Sequence, residues 1–173
     1  MLYLINFLAI VLVFAFQTSA LPKLLPSNTL PDLILICAFY FGLKMKEQAG
    51  ITLATLIGLF QDCLSGGIFG INTLSKGIAG FLGAFFKKFI PTNNIFSLGI
   101  CIIIISVLDG FIFYLVTSLF AKQEVLQDSF FNSLLIFIFM NLIWATILFS
   151  FIKKLNNKFG KRAESEWGTT LNQ

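Results

Sequence analysis

The chain has 173 residues, 57% of them hydrophobic and only 12% charged, against about 25% charged in an average soluble domain. A domain this small has a large surface for its volume, and eight acidic and twelve basic residues cannot cover it in water, whereas in lipid the apolar side chains can face outward. The absence of histidine excludes imidazole metal sites, histidine general bases and Ser-His or Cys-His nucleophile pairs, and the net charge of +4 lies beside apolar segments, where it orients a membrane protein rather than binding nucleic acid.

Six apolar segments follow in chain order. Residues 2–20 form a continuous run, long enough for the roughly 30 Å of hydrocarbon in a bilayer. Thr18-Ser19-Ala20 is a faint cleavage signal, but no Lys or Arg precedes Lys23. A signal peptide would need that positive region, so the segment reads as an uncleaved helix. Pro22, Pro26 and Pro31 mark residues 21–31 as a loop. Segments 30–44 and 50–65 are short, roughly 22–24 Å at a rise of about 1.5 Å per residue. Each is either a thin span or half of a hairpin whose outer end is shielded by protein. Segment 70–86 comes next, and segments 95–120 and 130–152 are full spans. The expectation is an all-α integral membrane protein, a bundle of about six transmembrane helices over residues 1–152, with a basic and polar tail over 153–173. A short charged tail of this kind is expected to be mobile.

Basic residues set the orientation, because cytoplasmic loops are enriched in Lys and Arg. With the N-terminus inside, the inner loops hold Lys44, Lys46, Lys87 and Lys88, and the tail adds Lys153, Lys154, Lys158, Lys161 and Arg162. The outer loops hold Lys23 and Lys122 alone, and Lys76 lies within segment four. An even number of spans then keeps both termini cytoplasmic. Cys37, Cys63 and Cys101 lie in or beside apolar segments, with no C-x-x-C pair, and read as small hydrophobes in packed helices.

Asp62, Lys76 and Asp109 are the ionisable residues within the segments. Such groups are costly in hydrocarbon, so they face a bundle interior or a wet cavity and find partners. Counting about 1.5 Å per residue puts all three in the outer half of the bilayer, where they can share a polar cluster. Thr55, Gly58, Asp62 and Ser65 share a face of segment three. Gly70, Thr73, Gly77, Gly80 and Ala84 form a small-residue stripe on segment four, with Lys76 at its edge, and such a stripe lets another backbone approach closely. Ser106 and Asp109 share a face of segment five, and Asn141 and Ala145 one of segment six. Three readings of the ionisable groups stand together: an Asp62–Lys76 pair that fixes helix register, a ligand or partner site, and catalysis by two aspartates sharing a proton. The last lacks its signatures. Membrane aspartyl proteases carry Gly-x-Gly-Asp, and the lipoprotein signal peptidase carries Asn-x-Gly-Ala and an Asp-Arg pair. The aspartates here sit in Leu59-Phe60-Gln61-Asp62 and Val107-Leu108-Asp109-Gly110.

Between segments three and four, Gly66 and Gly67 permit a tight turn. Asp62 and Ser65 are placed to accept hydrogen bonds from the first N–H groups of segment four, which would leave the small stripe free for a partner helix. The stretch Gly58-Leu-Phe-Gln-Asp62-Cys-Leu-Ser65-Gly66-Gly67-Ile-Phe-Gly70-Ile-Asn-Thr-Leu74 resembles the signature of the MreD family. That signature joins Gly-Leu-x-x-Asp to Ser-Gly and a following Gly-x-x-x-Leu. Pro31-Asp32 opening a short second segment and an aspartate in segment five also match. The resemblance covers roughly residues 32–109, and the first and last helices match as generic spans. It carries Gly58, Asp62, Ser65, Gly66, Gly70 and Leu74 across as family residues, with a looser match at Asp109; Lys76 rests on the reading of the chain itself. It implies a non-enzymatic scaffold of the cell-elongation machinery in the bacterial inner membrane, without a cofactor. The implied partner is MreC, with MreB, a RodA-type glycosyltransferase and a class-B penicillin-binding protein bound directly or through it, and membrane lipid around the bundle. The alternative is the substrate-binding subunit of an energy-coupling-factor vitamin transporter, also a six-helix bundle. Those carry Ala-x-x-x-Ala near the N-terminus, whereas Ala9, Ala15 and Ala20 are spaced otherwise.

Overall fold

A computed structural model of the protein describes residues 11–26, 30–89, 95–120 and 130–150. The start of segment one, the loop at 122–128 and the tail at 153–173 lie outside the described residues. All regular structure among these residues is helical. The helices are α1 (Val11–Leu24), α2 (Leu33–Lys44), α3 (Glu47–Ser65), α4 (Ile71–Phe86), α5 (Ile95–Phe120) and α6 (Phe130–Ser150). They correspond to the six expected segments, with three shifted boundaries, one of them the start of α2 at Leu33 rather than residue 30, where Asp32 is the N-cap.

Another shift is in α1, which continues to Leu24 where a loop was expected from residue 21. Proline lacks the N–H that an interior helical position donates. Here the helix reaches Pro22 through a π-helical turn, Phe16–Ala20, in which the Leu21 N–H donates to the Phe16 carbonyl. Such a turn holds one extra residue, and the helix resumes beyond it. The third shift is at α3, which begins at Glu47 rather than at residue 50. Its first turn is polar and exposed at Glu47 and Gln48, so apolarity alone understates its length.

The short α2 is the enclosed element. Residues 33–39, Gly42 and Leu43 are all buried, which explains why it is apolar all round. Its core members Leu35, Ile36, Ala38 and Phe39 share one cluster with Ala54 of α3, Ala79 of α4, Cys101, Ile102 and Ile105 of α5 and Ala145 of α6. Twelve residues make about 18 Å of helix at 1.5 Å per residue, less than a bilayer core. Protein, not lipid, covers this helix, so its length need not match the hydrocarbon.

Helices α2, α3 and α4 pack backbone against backbone. A Cβ at Gly42 would stand 2.1 Å from the Gly80 carbonyl oxygen, and one at Gly58 would stand 2.4 Å from that of Asn72. This corrects the expectation that the small stripe of α4 stays open for a partner helix. Gly80 meets Ala54, Gly77 meets Thr55, and Ala84 is buried, so the stripe is filled from within the chain. Gly42→Ala is therefore expected to destabilise the bundle by about 1–3 kcal/mol, the usual range for overpacking. Gly67→Ala, with nothing nearer than the Ser65 hydroxyl at 3.8 Å, should leave the thermal midpoint in detergent close to the parent's. Equal midpoints for the two variants would contradict this packing.

Large apolar side chains cover the outside: Phe60, Phe81, Phe96, Phe111, Phe113, Phe131 and Phe139 are each more than half exposed. Among the described residues, α5 and α6 are long and apolar enough to cross a membrane. Cys37 and Cys101 are buried, whereas Cys63 lies exposed on α3 rather than in the packed interior.

Candidate functional site

The motif between α3 and α4 is a helix cap built at a distance. Helix α3 ends at Ser65, and Gly66 follows with φ of 63°. The chain turns again at Gly70 with φ of 100°, and α4 begins without a side-chain cap of its own. Both angles lie in the left-handed region that glycine enters freely. Asp62, one turn before the end of α3, reaches across the turn to supply the cap. One carboxylate oxygen accepts from the Gly70 N–H at 3.0 Å, the Thr73 N–H at 2.8 Å and the Thr73 hydroxyl at 2.6 Å. The other accepts from the Asn72 N–H and the Asn72 side-chain amide, both at 3.0 Å. A negative group at a helix N-terminus also gains from the helix dipole. Ser65, expected to share this role, instead donates to the Asp62 carbonyl at 3.3 Å and accepts from the Gly67 N–H at 3.5 Å. It is too far along α3 to face α4, and it closes its own turn.

The second unit is centred on Lys76, which is 2% exposed. Its ammonium pairs with Asp32 at 2.6 Å and with Asp109 at 3.3 Å, and donates to the Asn72 side-chain carbonyl at 3.0 Å. An ammonium has three protons, and each finds an acceptor. Asp109 also accepts from the Ser75 hydroxyl. The direct Asp62–Lys76 pair entertained from the sequence is replaced by a relay. Among the described residues the ion-pair partners of Lys76 are Asp32 and Asp109, and Asn72 bridges to Asp62, donating to the one and accepting from the other.

Asp32 carries the network onward. It caps α2 by accepting from the Leu35 N–H at 3.0 Å, and it accepts from the Gln17 amide of α1 at 3.3 Å. Gln17 in turn accepts from the Ile34 N–H at 3.1 Å. The Asp32 backbone N–H donates to Asn141 of α6 at 2.8 Å, and Asn141 donates to the Ser106 hydroxyl of α5 at 3.0 Å. Every helix of the bundle thus takes part in these linked contacts, α2 through its capping residue Asp32 and the others through a polar side chain of their own. Buried polar networks of this kind specify one arrangement when their members are satisfied.

Lys76, Asp109 and Asp62 are thus drawn into one network, as the shared-cluster reading expects, while Gln17, Asn72 and Ser75 join it without having been singled out, and Asp32, noted only as the opening of segment two, joins it as well. Asp32 had a signal: a polar residue just before an apolar run is a helix N-cap. Gly66 and Gly67 lie on the exposed turn, and Leu74, the last motif residue, is 52% exposed. The motif therefore joins buried capping groups to a surface-facing rim. Among the described residues no three His, Cys, Asp or Glu side chains converge as a metal site.

No curated protein and no solved structure matches the chain. The family model of the rod shape-determining protein MreD matches residues 1–159, from α1 past the end of α6. With a match over most of its length, the chain belongs to the MreD family, membrane proteins of rod shape determination.

Proposed function

We propose that the chain is a non-enzymatic scaffold of the bacterial cell-elongation machinery, held in the cytoplasmic membrane and binding MreC. Through MreC, or directly, it would organise MreB, a RodA-type glycosyltransferase and a class-B penicillin-binding protein. The observation that carries this reading is the family match over residues 1–159. The polar core supports it: the carboxylates of Asp62, Asp32 and Asp109 accept hydrogen bonds or ion pairs that tie helix to helix, as a rigid platform requires. Of the candidate partner residues, Ser65, Gly66 and Gly67 are exposed and accessible to a partner, whereas Asp62 and Lys76 act by holding the turn and the bundle in place. Pull-down of the tagged full chain from its own cells, followed by mass spectrometry, tests this. MreC and wall-synthesis enzymes are expected; recovery of an ABC-type ATPase pair would instead make the chain a transport subunit.

The topology proposed with this function has both termini in the cytoplasm, the six-helix domain over 1–152 and the basic tail over 153–173. Reporter fusions after Lys44, Lys88 and Lys154 should all report the cytoplasm. A periplasmic signal at any of the three sites would overturn the orientation.

A further inference from the structure

Lys44 and Lys46 are separated by some forty residues from Lys87 and Lys88, yet the fold brings them to one end of the bundle. Lys44 closes α2, Lys46 precedes α3, and Lys87 and Lys88 follow α4. The Lys87 ammonium donates to the Met45 carbonyl at 3.0 Å, and Lys88 pairs with Glu47 at 2.8 Å. These contacts hold the end of α4 against the α2–α3 turn. All four lysines are exposed, with Glu47 the acidic residue among them. The Lys88–Glu47 pair is itself 56% exposed on both sides, and exposed pairs of this kind are weak and readily exchanged.

Apolar surface adjoins the charge. Phe85 and Phe89 are 46% and 69% exposed, with ring centroids 5.0 Å apart, beside Lys87 and Lys88. Aromatic rings favour the boundary between hydrocarbon and headgroups, and lysines near it extend their amines outward to the polar layer. We propose that this end of the bundle binds anionic phospholipid, with the four lysines on the headgroup phosphates and the two phenylalanines against the upper acyl chains. Multiple lysines, rather than one shaped pocket, suit a phosphodiester that arrives in a fluid leaflet. Charge on the lipid decides its affinity, since each lysine at a membrane surface favours anionic lipid by roughly fivefold. The proposal rests on the membrane placement given above and is independent of MreC.

The test is lipid selectivity around the purified full chain reconstituted in vesicles without partners. Spin-labelled phosphatidylglycerol and phosphatidylcholine serve as probes in a phosphatidylcholine host. The parent chain is expected to associate with phosphatidylglycerol at least threefold more strongly, and the preference should shrink as salt rises. K44Q/K46Q/K87Q/K88Q should bring the ratio close to one. K44Q/K46Q, which removes no hydrogen bond seen in the structure, should fall between and guards against misfolding of the quadruple variant. A parent ratio near one, or an undiminished preference in both variants, would overturn the proposal; the latter would move lipid binding to the basic residues of the tail. Either failure leaves the pull-down result, and so the scaffold reading, untouched.

Discussion

Lys76→Met is expected to destabilise the folded bundle by on the order of 3–5 kcal/mol, the typical effect of removing one partner from a buried ion pair. The lysine sits between Asp32 at 2.6 Å and Asp109 at 3.3 Å, and its loss leaves two buried carboxylates facing each other with no cation. The variant should accumulate poorly in membranes and melt well below the parent in detergent. The same geometry ranks the aspartates. Asp32→Asn removes the closer ion pair and weakens the cap on α2 and the contact with Gln17. Asp109→Asn leaves Lys76 paired one-to-one with Asp32 and is expected to be the milder change. Replacing all three by Met, Asn and Asn removes the charges together, and a neutral set of similar volume is often tolerated where a single loss is not. The triple variant should therefore melt above Lys76→Met alone. A Lys76→Met protein as stable as the parent would show that the network does not carry the bundle.

The six segments were legible because lipid leaves apolar runs uninterrupted, and the runs are separated by Lys, Pro or Asn or, between segments three and four, by Gly66 and Gly67. Two boundaries were not legible for local reasons. Helix α1 passes Pro22 by way of a π-turn, which proline arithmetic does not anticipate, and α3 starts in exposed polar residues. The periodicity of Gly77, Gly80 and Ala84 marked a close-packing face of α4 but carried no information about what approaches it. That depends on α2 and α3 folding back, with Gly42 and Ala54 arriving from other parts of the chain. The same holds for Lys76. Counting charged residues inside apolar segments found Asp62 and Asp109, but it passed over Asp32, which stands just before α2 and has its side chain 12% exposed. Where a short helix is enclosed by longer ones, its end lies at the depth of their middles, so the polar residue that opens the segment in sequence becomes part of the interior.

Asp62→Leu is expected to be as damaging as the loss of Lys76, by a different route. Five donors converge on the two oxygens of Asp62, and leucine accepts from none. Each buried donor left unpaired costs about 1–3 kcal/mol, with sums below additivity because α4 can fray. An overall loss of roughly 3–5 kcal/mol is the consequence. Asp62→Asn keeps the shape and one oxygen, but its amide would face N–H groups that need an acceptor, and the charge that matches the helix dipole is gone. A loss of about 1–2 kcal/mol is expected for it, in the range of ordinary cap removal. Thermal midpoints in detergent give the ordering, and restoration of rod shape in cells lacking the native protein gives the functional side. If Asp62 serves the turn alone, shape restoration should follow stability through both variants, and MreC recovery should fall only as the folded fraction falls. An Asp62→Asn protein that melts like the parent yet no longer recovers MreC would assign the carboxylate to the partner instead. Its five hydrogen bonds argue against that result, because a carboxylate already saturated by α4 has no lone pair directed at another chain.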